Sequence, residues 1–586
     1  MIPARKNMHE HDEQTRMKGK IPKPAAIAAI CAIWAVVYLP SIGAPDFSRN
    51  ECRRVLPAVT MIQTGDWKTP MLSGKPYYRK PPLINWMIAA SMKTVPADIT
   101  VAARLPTALA ILATAICLLF APMRLLSPES RILASAAFLT TVGLATQGRK
   151  ADIDPNYVCC SVLAIALWLD GWSRDASAWR SWTLPAIPLA AGMLLKGPLI
   201  LLIYYLFVFA VLAAAKNKKA LLAPAHLAGI VITIIPFLIW ALASHPATPP
   251  TESAESAGMG STWIREMAYR FHFGEISFGK WAGRVAGGVA QFLPWLLILP
   301  FLWLAKNTWK NASEKQNAFM TGAKTTLVAV FILINAMPAT KARYSLPLLP
   351  IVILAAAFVA ANTHMPGKWL NAAAKTLAWT LTAVFAADIM TATAFLAARA
   401  DILPYLDKLP ADTAEAIRAL PWWNIVTPPV AAGAAMVILH RKRNPGNNST
   451  KLALTLAALV ALSLNMAFSY FVPLNPKHYA RNAAAAIDEF NAGNATLAGL
   501  GFMGEEPFTA HMRSKWRMVD KLEELDAIPV TLVLGVDRTE ELETYKKTAG
   551  AREIRRKRVN YKSHRYIAVE LQENKCQEKR KKNTKQ

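Results

Sequence analysis

PLILLIYYLFVFAVLAAA, residues 198–215, carries no charged side chain and lies between Lys196 and the basic group Lys216, Lys218 and Lys219. A run of this length crosses a ~30 Å hydrocarbon core as a helix, because lipid offers no water to backbone groups left outside helical bonds. Comparable runs recur from residue 24 to residue 472. They predict thirteen spans, at 24–44, 100–122, 130–147, 156–172, 182–196, 198–215, 222–243, 284–305, 322–338, 345–363, 374–397, 422–440 and 451–472. Composition agrees: 54% of the 586 residues are hydrophobic and 18% are charged, against ~25% charged in an ordinary soluble domain. The chain therefore reads as a polytopic α-helical membrane protein. Its first span reads as a retained helix, since no small-residue cleavage site leads from it into a soluble domain.

The formal net charge is +28. On a soluble chain that would suggest nucleic acid. Here the charge lies in loops and tails around membrane helices, without a basic patch interleaved with aromatics, so lipid phosphate is the expected partner and nucleic acid is not. The tail 1–23 holds Arg5, Lys6, Arg16, Lys18, Lys20 and Lys23, which places it in the cytoplasm. Alternation then puts the loops around Arg124, Arg174, Lys216, Lys306, Lys368 and His440 on the same basic side, and residues 473–586 outside. Loop 45–99 breaks this pattern: it is outside, yet it carries Arg49, Arg53, Arg54, Lys68, Lys75, Arg79 and Lys80. A phosphate-bearing lipid bound at the outer face explains such exported basic charge; the plain alternative is that loops of this length escape the charge rule. Segment 82–99 is apolar but short and reads as an interfacial helix.

Residues 473–586 alternate helix and strand signals. An amphipathic helix near 480–491, an apolar stretch at 496–502, a buried strand at 529–535, a polar helix at 538–548 and a strand at 565–571 predict a small α/β domain. Of the six cysteines, Cys31, Cys117, Cys159 and Cys160 lie in or beside apolar spans, where a thiol behaves as a small apolar side chain. Cys52 and Cys576 would share a compartment, but no spacing argues for a disulfide between them.

Four groups of residues could carry chemistry. The first is Arg49-Asn50-Glu51-Cys52-Arg53-Arg54, followed by Gly65-Asp66-Trp67 and by Tyr77-Tyr78-Arg79-Lys80-Pro81-Pro82. Arginines can clamp phosphate bidentately, and the prolines restrict the backbone at Lys80. As bare chemistry this equally describes a solvated basic loop. The second is Arg149-Lys150-Ala151-Asp152-Ile153-Asp154-Pro155. Acids at a membrane edge mark function by default, although a helix cap before Pro155 would also account for them. The third is Lys196-Gly197-Pro198, and the fourth is Lys341-Ala342-Arg343-Tyr344-Ser345-Leu346-Pro347, both at the outer ends of spans.

In this order the motifs resemble the membrane glycosyltransferases that use a polyprenyl-phosphate sugar donor, in particular the bacterial aminoarabinose transferases of lipid A and the related protein O-mannosyltransferases. That family's first loop runs Asp-Glu-x-Arg-Tyr, Gly-Asp-Trp and Tyr-Phe-Glu-Lys-Pro-Pro. This chain has Asn50-Glu51-Cys52-Arg53-Arg54, Gly65-Asp66-Trp67 and Tyr77-Tyr78-Arg79-Lys80-Pro81-Pro82. Family Asp-Pro, Lys-Gly-Pro and basic-Tyr-x-x-Pro segments match Asp154-Pro155, Lys196-Gly197-Pro198 and Arg343-Tyr344-Ser345-Leu346-Pro347. Motifs cover residues 24–350, and the architecture covers the whole chain. The resemblance implies a GT-C-like fold in the bacterial inner membrane: a cytoplasmic tail 1–23, a transmembrane domain 24–472 with the periplasmic loop 45–99, and a periplasmic domain 473–586. It implies transfer of a sugar, an aminopentose or hexose, from undecaprenyl phosphate to lipid A, lipopolysaccharide or another periplasmic acceptor, lipid or protein.

By this resemblance Asp154, Glu51 and Asn50 occupy catalytic positions, and Arg53, Arg54, Tyr77, Arg79, Lys80, Lys196, Arg343 and Tyr344 contact substrate or phosphate. Two departures matter. The family's catalytic Asp falls on Asn50, and its Glu, a metal ligand, falls on Arg79. A divalent metal, with Glu51 and Asp154 as the remaining carboxylate ligands, is thereby placed in doubt. A protein O-glycosyltransferase, a lipid-linked-sugar flippase and a non-catalytic lipid-binding relative are the rival readings. In loop 244–283, Arg270 and His272 are further candidate phosphate contacts, although an ordinary satisfied surface histidine accounts better for His272.

Overall fold

The computed structural model describes residues 24–72, 75–121, 123–244, 278–304, 312–336, 341–362, 367–400, 414, 417, 418, 420–441, 449–472, 479–491, 496–500, 507–512, 516–519, 522, 525, 530–549, 551–561 and 564–573. The chain forms two compact units. One comprises Met1–Ile42, Tyr78–Ile84 and Arg104–Leu474; the other comprises Gly43–Tyr77, Asn85–Ala103 and Asn475–Gln586.

Apolar composition makes the first unit helical. Its described helices are α1 (Pro24–Tyr38), then, after α2 (Arg49–Thr64) and α3 (Leu83–Thr94), the helices α4 (Ile99–Phe120), α5 (Pro128–Thr140), α6 (Ile153–Ser173), α7 (Ala178–Lys196), α8 (Leu199–Ala214) and α9 (Pro224–Ala243). They continue with α10 (Glu314–Ala336), α11 (Leu349–Asn362), α12 (Gly367–Arg399), α13 (Trp422–Arg441) and α14 (Ser449–Met466). Among the described residues seven helices are long and apolar enough to cross a membrane, or eight if Phe278–Ala290 and Trp295–Leu304, bent by 90°, make one span. Each of the thirteen expected spans contains helix, but several fall short of that measure. Helices α1 and α8 are short, and α7 and α13, which carry Pro185 and Pro188 and Pro428 and Pro429 inside them, are not among the seven.

The expected span 130–147 is broken. Helix α5 stops at Thr140, Thr141 is extended (φ −67°, ψ 120°), and a short helix resumes at Val142. The freed backbone groups at the break find partners at the bend of the neighbouring pair: Val142 N donates to Leu293 O at 3.0 Å and Gly143 N to Gln291 O at 2.9 Å. Gly143 permits this approach, since a Cβ there would lie 2.5 Å from Gln291 Oε1. Just beyond, buried Arg149 closes the C-terminal end of α1. Its guanidinium donates to Val37 O at 3.0 Å and to Pro40 O, and lies 4.1 Å from the Phe468 ring centroid. A cation at a helix C-terminus answers both the open carbonyls and the dipole. Arg149 thus anchors the segment that leads into Asp152.

The second unit is built on a five-stranded sheet. In chain order the strands β1 (Met71–Leu72) and β2 (Lys75–Pro76) form a separate hairpin. The sheet comprises β3 (Thr496–Leu500), β4 (Trp516–Val519), β5 (Val530–Gly535), β6 (Ala551–Tyr561) and β7 (His564–Glu573), in the order β4-β3-β5-β7-β6. β3 runs parallel to β4 and β5; β7 is antiparallel to β5 and β6. Helix α15 (Tyr479–Phe490) buries Ala480, Ala483, Ala484 and Ile487 on one face, a helical i, i+3, i+4, i+7 stripe. Leu542 of α16 (Thr539–Ala549) packs on the other face against Leu532, Ile567 and Val569. Residues 43–77 and 85–103, which include most of the first loop, belong to the same unit. Ala480 N donates to Asp46 at 3.0 Å, Arg481 Nη2 donates to Gly43 O at 2.8 Å and pairs with Asp98 at 3.1 Å, and Phe47 stacks on His511 at 5.1 Å. Cys52 is buried on α2, whereas Cys576 lies outside the described residues.

Candidate active site

In the first unit, three chain segments converge on one carboxylate. Asp152 caps α6 by accepting from Ile153 N at 2.7 Å, and Asp154 and Pro155 follow in the first turn. Carboxylates belong at this end of a helix, where the dipole is positive and N–H groups are open. Helix α7 runs to Lys196 and ends at Gly197, with φ 92° and ψ −161°. Only glycine adopts that region at low cost, so the residue after Lys196 fixes how the chain leaves the helix. The third segment is the 3-10 turn Ala342–Leu348, which carries Arg343 and Tyr344. Ser161 of α6 donates to Pro347 O at 3.4 Å and ties the turn to that helix.

Both oxygens of Asp154 are matched by cations. Lys196 Nζ lies 2.5 Å from Oδ1 and Arg343 Nε lies 2.8 Å from Oδ2. Arg343 Nη1 also lies 3.6 Å from Asp152 Oδ2. The Asp154 and Lys196 side chains are 8% and 9% exposed and that of Arg343 is 21% exposed, so the lysine pair is the better shielded from solvent. The Lys196 ammonium lies 4.6 Å from the Tyr344 ring centroid and 5.6 Å from that of Tyr157. Tyr157 is fully buried, and its hydroxyl donates to Gly197 O at 3.3 Å. Sequence reasoning named Asp154, Lys196, Arg343 and Tyr344 and missed Tyr157. The available signal was its spacing: i+3 from Asp154 on a helix shares a face with it.

The second unit gathers other expected residues. Ser48 and Glu51 form a capping box for α2: Ser48 N donates to Glu51 Oε2 at 2.9 Å, and Ser48 Oγ accepts from Glu51 N at 3.4 Å. Glu51, read as a catalytic and metal candidate, therefore has a structural task at a helix N-terminus. Arg54 is buried. Its Nη1 donates to Tyr77 OH at 3.2 Å, its guanidinium lies 5.8 Å from that ring, and Asn85 Nδ2 donates to its carbonyl at 2.7 Å. Asn50 and Arg53 are half-buried on α2. In the first unit Lys80 is half-buried and Arg79 exposed, just before α3. Arg270 and His272 lie outside the described residues.

The donor set is poorly suited to a divalent ion. A metal bound at Asp154 would have to displace Lys196 or Arg343 or sit beside both positive charges. Among the described residues no group of three or more His, Cys, Asp or Glu side chains could hold one.

Residues 79–240 match the family described as dolichyl-phosphate-mannose-protein mannosyltransferase. The chain is 26% identical over 347 residues to undecaprenyl phosphate-alpha-4-amino-4-deoxy-L-arabinose arabinosyl transferase 2 of Pseudomonas fluorescens, covering 56% of this chain and 58% of the relative. It is 30% identical over 271 residues to the corresponding Pseudomonas paraeruginosa transferase, covering 45% and 44%. The chain thus spans about half the length of the curated relatives it matches. Across almost its whole length it superposes on the crystal structure of ArnT from Cupriavidus metallidurans bound to undecaprenyl phosphate, with a TM-score of 0.67 at 18% identity, covering 93% of this chain and 97% of that one. The two chains share a fold.

Proposed function

We propose that this chain, built on the fold it shares with ArnT, is a glycosyltransferase that moves a sugar from a polyprenyl phosphate to a phosphate-bearing lipid of the lipid A type. The reading includes thirteen spans, a cytoplasmic tail and a periplasmic segment 473–586 in a bacterial inner membrane. One observation carries it. Asp154 holds two cations, and among the described residues it is the only hydrogen-bond partner of the Lys196 ammonium. An ammonium has three N–H donors, so the held lysine keeps two for a phosphate. The similarity to aminoarabinose transferases and the fold of a chain that binds undecaprenyl phosphate support the same donor.

In this mechanism the bond between the sugar's anomeric carbon and the donor phosphate oxygen breaks as an acceptor oxygen attacks that carbon. Negative charge builds on the departing lipid phosphate. Lys196, Arg343 and Lys80 offset it, and Tyr344 OH donates to it, where placed charge counts most. Asp154 orients Lys196 and Arg343 rather than removing a proton, because both its oxygens already face cations. A phosphate acceptor suits such a site, being anionic near neutral pH and needing no base. It also suits Asn50, which stands where the related enzymes have Asp.

The match to protein mannosyltransferases over residues 79–240 favours a second reading, a protein hydroxyl acceptor. Reconstituted chain given an undecaprenyl-phosphate sugar together with lipid A, dephosphorylated lipid A and a periplasmic protein extract separates the two. The account expects product on phosphorylated lipid A alone. Product on the protein fraction alone would overturn it in favour of the second reading.

A further inference from the structure

We propose that Tyr157 is the positioning residue for Lys196; the proposal rests on reading Lys196 as a cation that binds the donor phosphate. Asp154 and Tyr157 leave one face of α6 three residues apart, and both reach the same lysine. The ammonium lies over two rings, 5.6 Å from the Tyr157 centroid and 4.6 Å from that of Tyr344. An aromatic face attracts a cation without occupying its N–H groups. Two rings and one carboxylate thus confine the ammonium while leaving donors for a phosphate.

The hydroxyl of the same tyrosine does a second task. It donates to the carbonyl of Gly197, whose conformation (φ 92°, ψ −161°) sets the course of the chain immediately after Lys196. Such a conformation persists only when its surroundings hold it. Tyr157 is fully buried on a membrane-spanning helix and is well placed to hold it. One side chain therefore fixes both the backbone that carries Lys196 and the place of its charge.

The test measures binding of radiolabelled undecaprenyl phosphate to the purified full chain in detergent, and then transfer kinetics. Tyr157→Phe keeps the ring and removes one hydrogen bond, so binding weakens about 3- to 10-fold. Tyr157→Leu removes ring and hydroxyl together, and binding weakens about 10- to 100-fold. KM for the donor rises in both, with kcat at saturating donor changing less. In a Lys196→Ala background, Tyr157→Leu adds no further loss, because it acts through the missing group. Wild-type binding by both Tyr157 variants, with Lys196→Ala defective, overturns the proposal and leaves the reading of Lys196 intact. A full additional loss in the Lys196→Ala background also overturns it, as that is the mark of a general structural role. Wild-type binding by Lys196→Ala itself removes the reading on which the proposal rests. Tyr157→Phe, which leaves the packing of the ring in place, keeps the test decisive where Tyr157→Leu does not fold.

Discussion

Replacing Asp154 by Asn keeps the shape of the side chain and removes the charge on which two cations close. At 2.5 Å from Lys196 and 2.8 Å from Arg343, each pair has a gross attraction of roughly 6–7 kcal/mol at an effective dielectric constant of about 20. The net value is smaller. For the shielded Lys196, loss of its partner costs about 3–5 kcal/mol, the figure for a buried charge left alone. For Arg343, whose side chain is 21% exposed, solvent limits the cost to about 1 kcal/mol. Part of this appears as lost stability and part as misplaced cations, and transfer falls by about 10²- to 10³-fold, the effect of removing one placed electrostatic group. The assay is steady-state transfer by Asp154→Asn, Lys196→Ala and the double variant at varied donor. If Asp154 works through Lys196, the double variant is no slower than the worse single one. Losses that multiply would refute the orienting role and make Asp154 an independent actor, such as a base. Activity within threefold of wild type in Asp154→Asn would refute any role for the cluster in transfer.

Gly197→Ala forces a side chain into a conformation that costs about 1–3 kcal/mol, so donor KM rises about 5- to 100-fold while the other spans keep their hydrogen-exchange protection. Asn50→Asp leaves the rate on a phosphate acceptor within a fewfold of wild type; a many-fold gain on that acceptor would show that the site needs a base. In the second unit, the Arg556 hydrogen bond, with Lys546, holds the Glu553 carboxyl below its usual range, and the Lys546 hydrogen bond, with Arg556, does so for Glu543. Carboxyls lowered on folding stabilise above their unfolded pKa near 4.3 and lose that contribution as pH falls through the lower folded value. The pair contributes about 1 kcal/mol or less because solvent screens it, so amide protection of β6 in the full chain drops below about pH 4 and is flat from pH 5 to 8.

The membrane class was legible because hydrocarbon leaves an apolar run one option, the helix. Span ends and breaks were not. Nothing local marks the stop at Thr140; the break is held by Leu293 O and Gln291 O, some 150 residues away in sequence. β6 was hidden for another reason. AREIRRKRVNY lacks an apolar alternation because it is an edge strand, where basic side chains face solvent or pair with Glu570, Glu553 and Glu489. At the site, Asp154, Lys196, Arg343 and Tyr344 were legible as motifs, though only the fold shows that they meet on one carboxylate. Ser48-x-x-Glu51 could have been read as a capping box, but the resemblance drew attention to Glu51 as chemistry. Tyr157 lies in no motif, and its importance depends on Gly197, forty positions later in the chain.

The most direct test of the central claim reconstitutes the wild-type chain with an undecaprenyl-phosphate aminopentose and lipid A, with and without a strong chelator, beside Lys196→Ala. The account predicts a lipid A product heavier by one sugar, unaffected by the chelator and reduced at least a hundredfold in Lys196→Ala. Transfer that stops with the chelator, or that continues at the wild-type rate in Lys196→Ala, would contradict it.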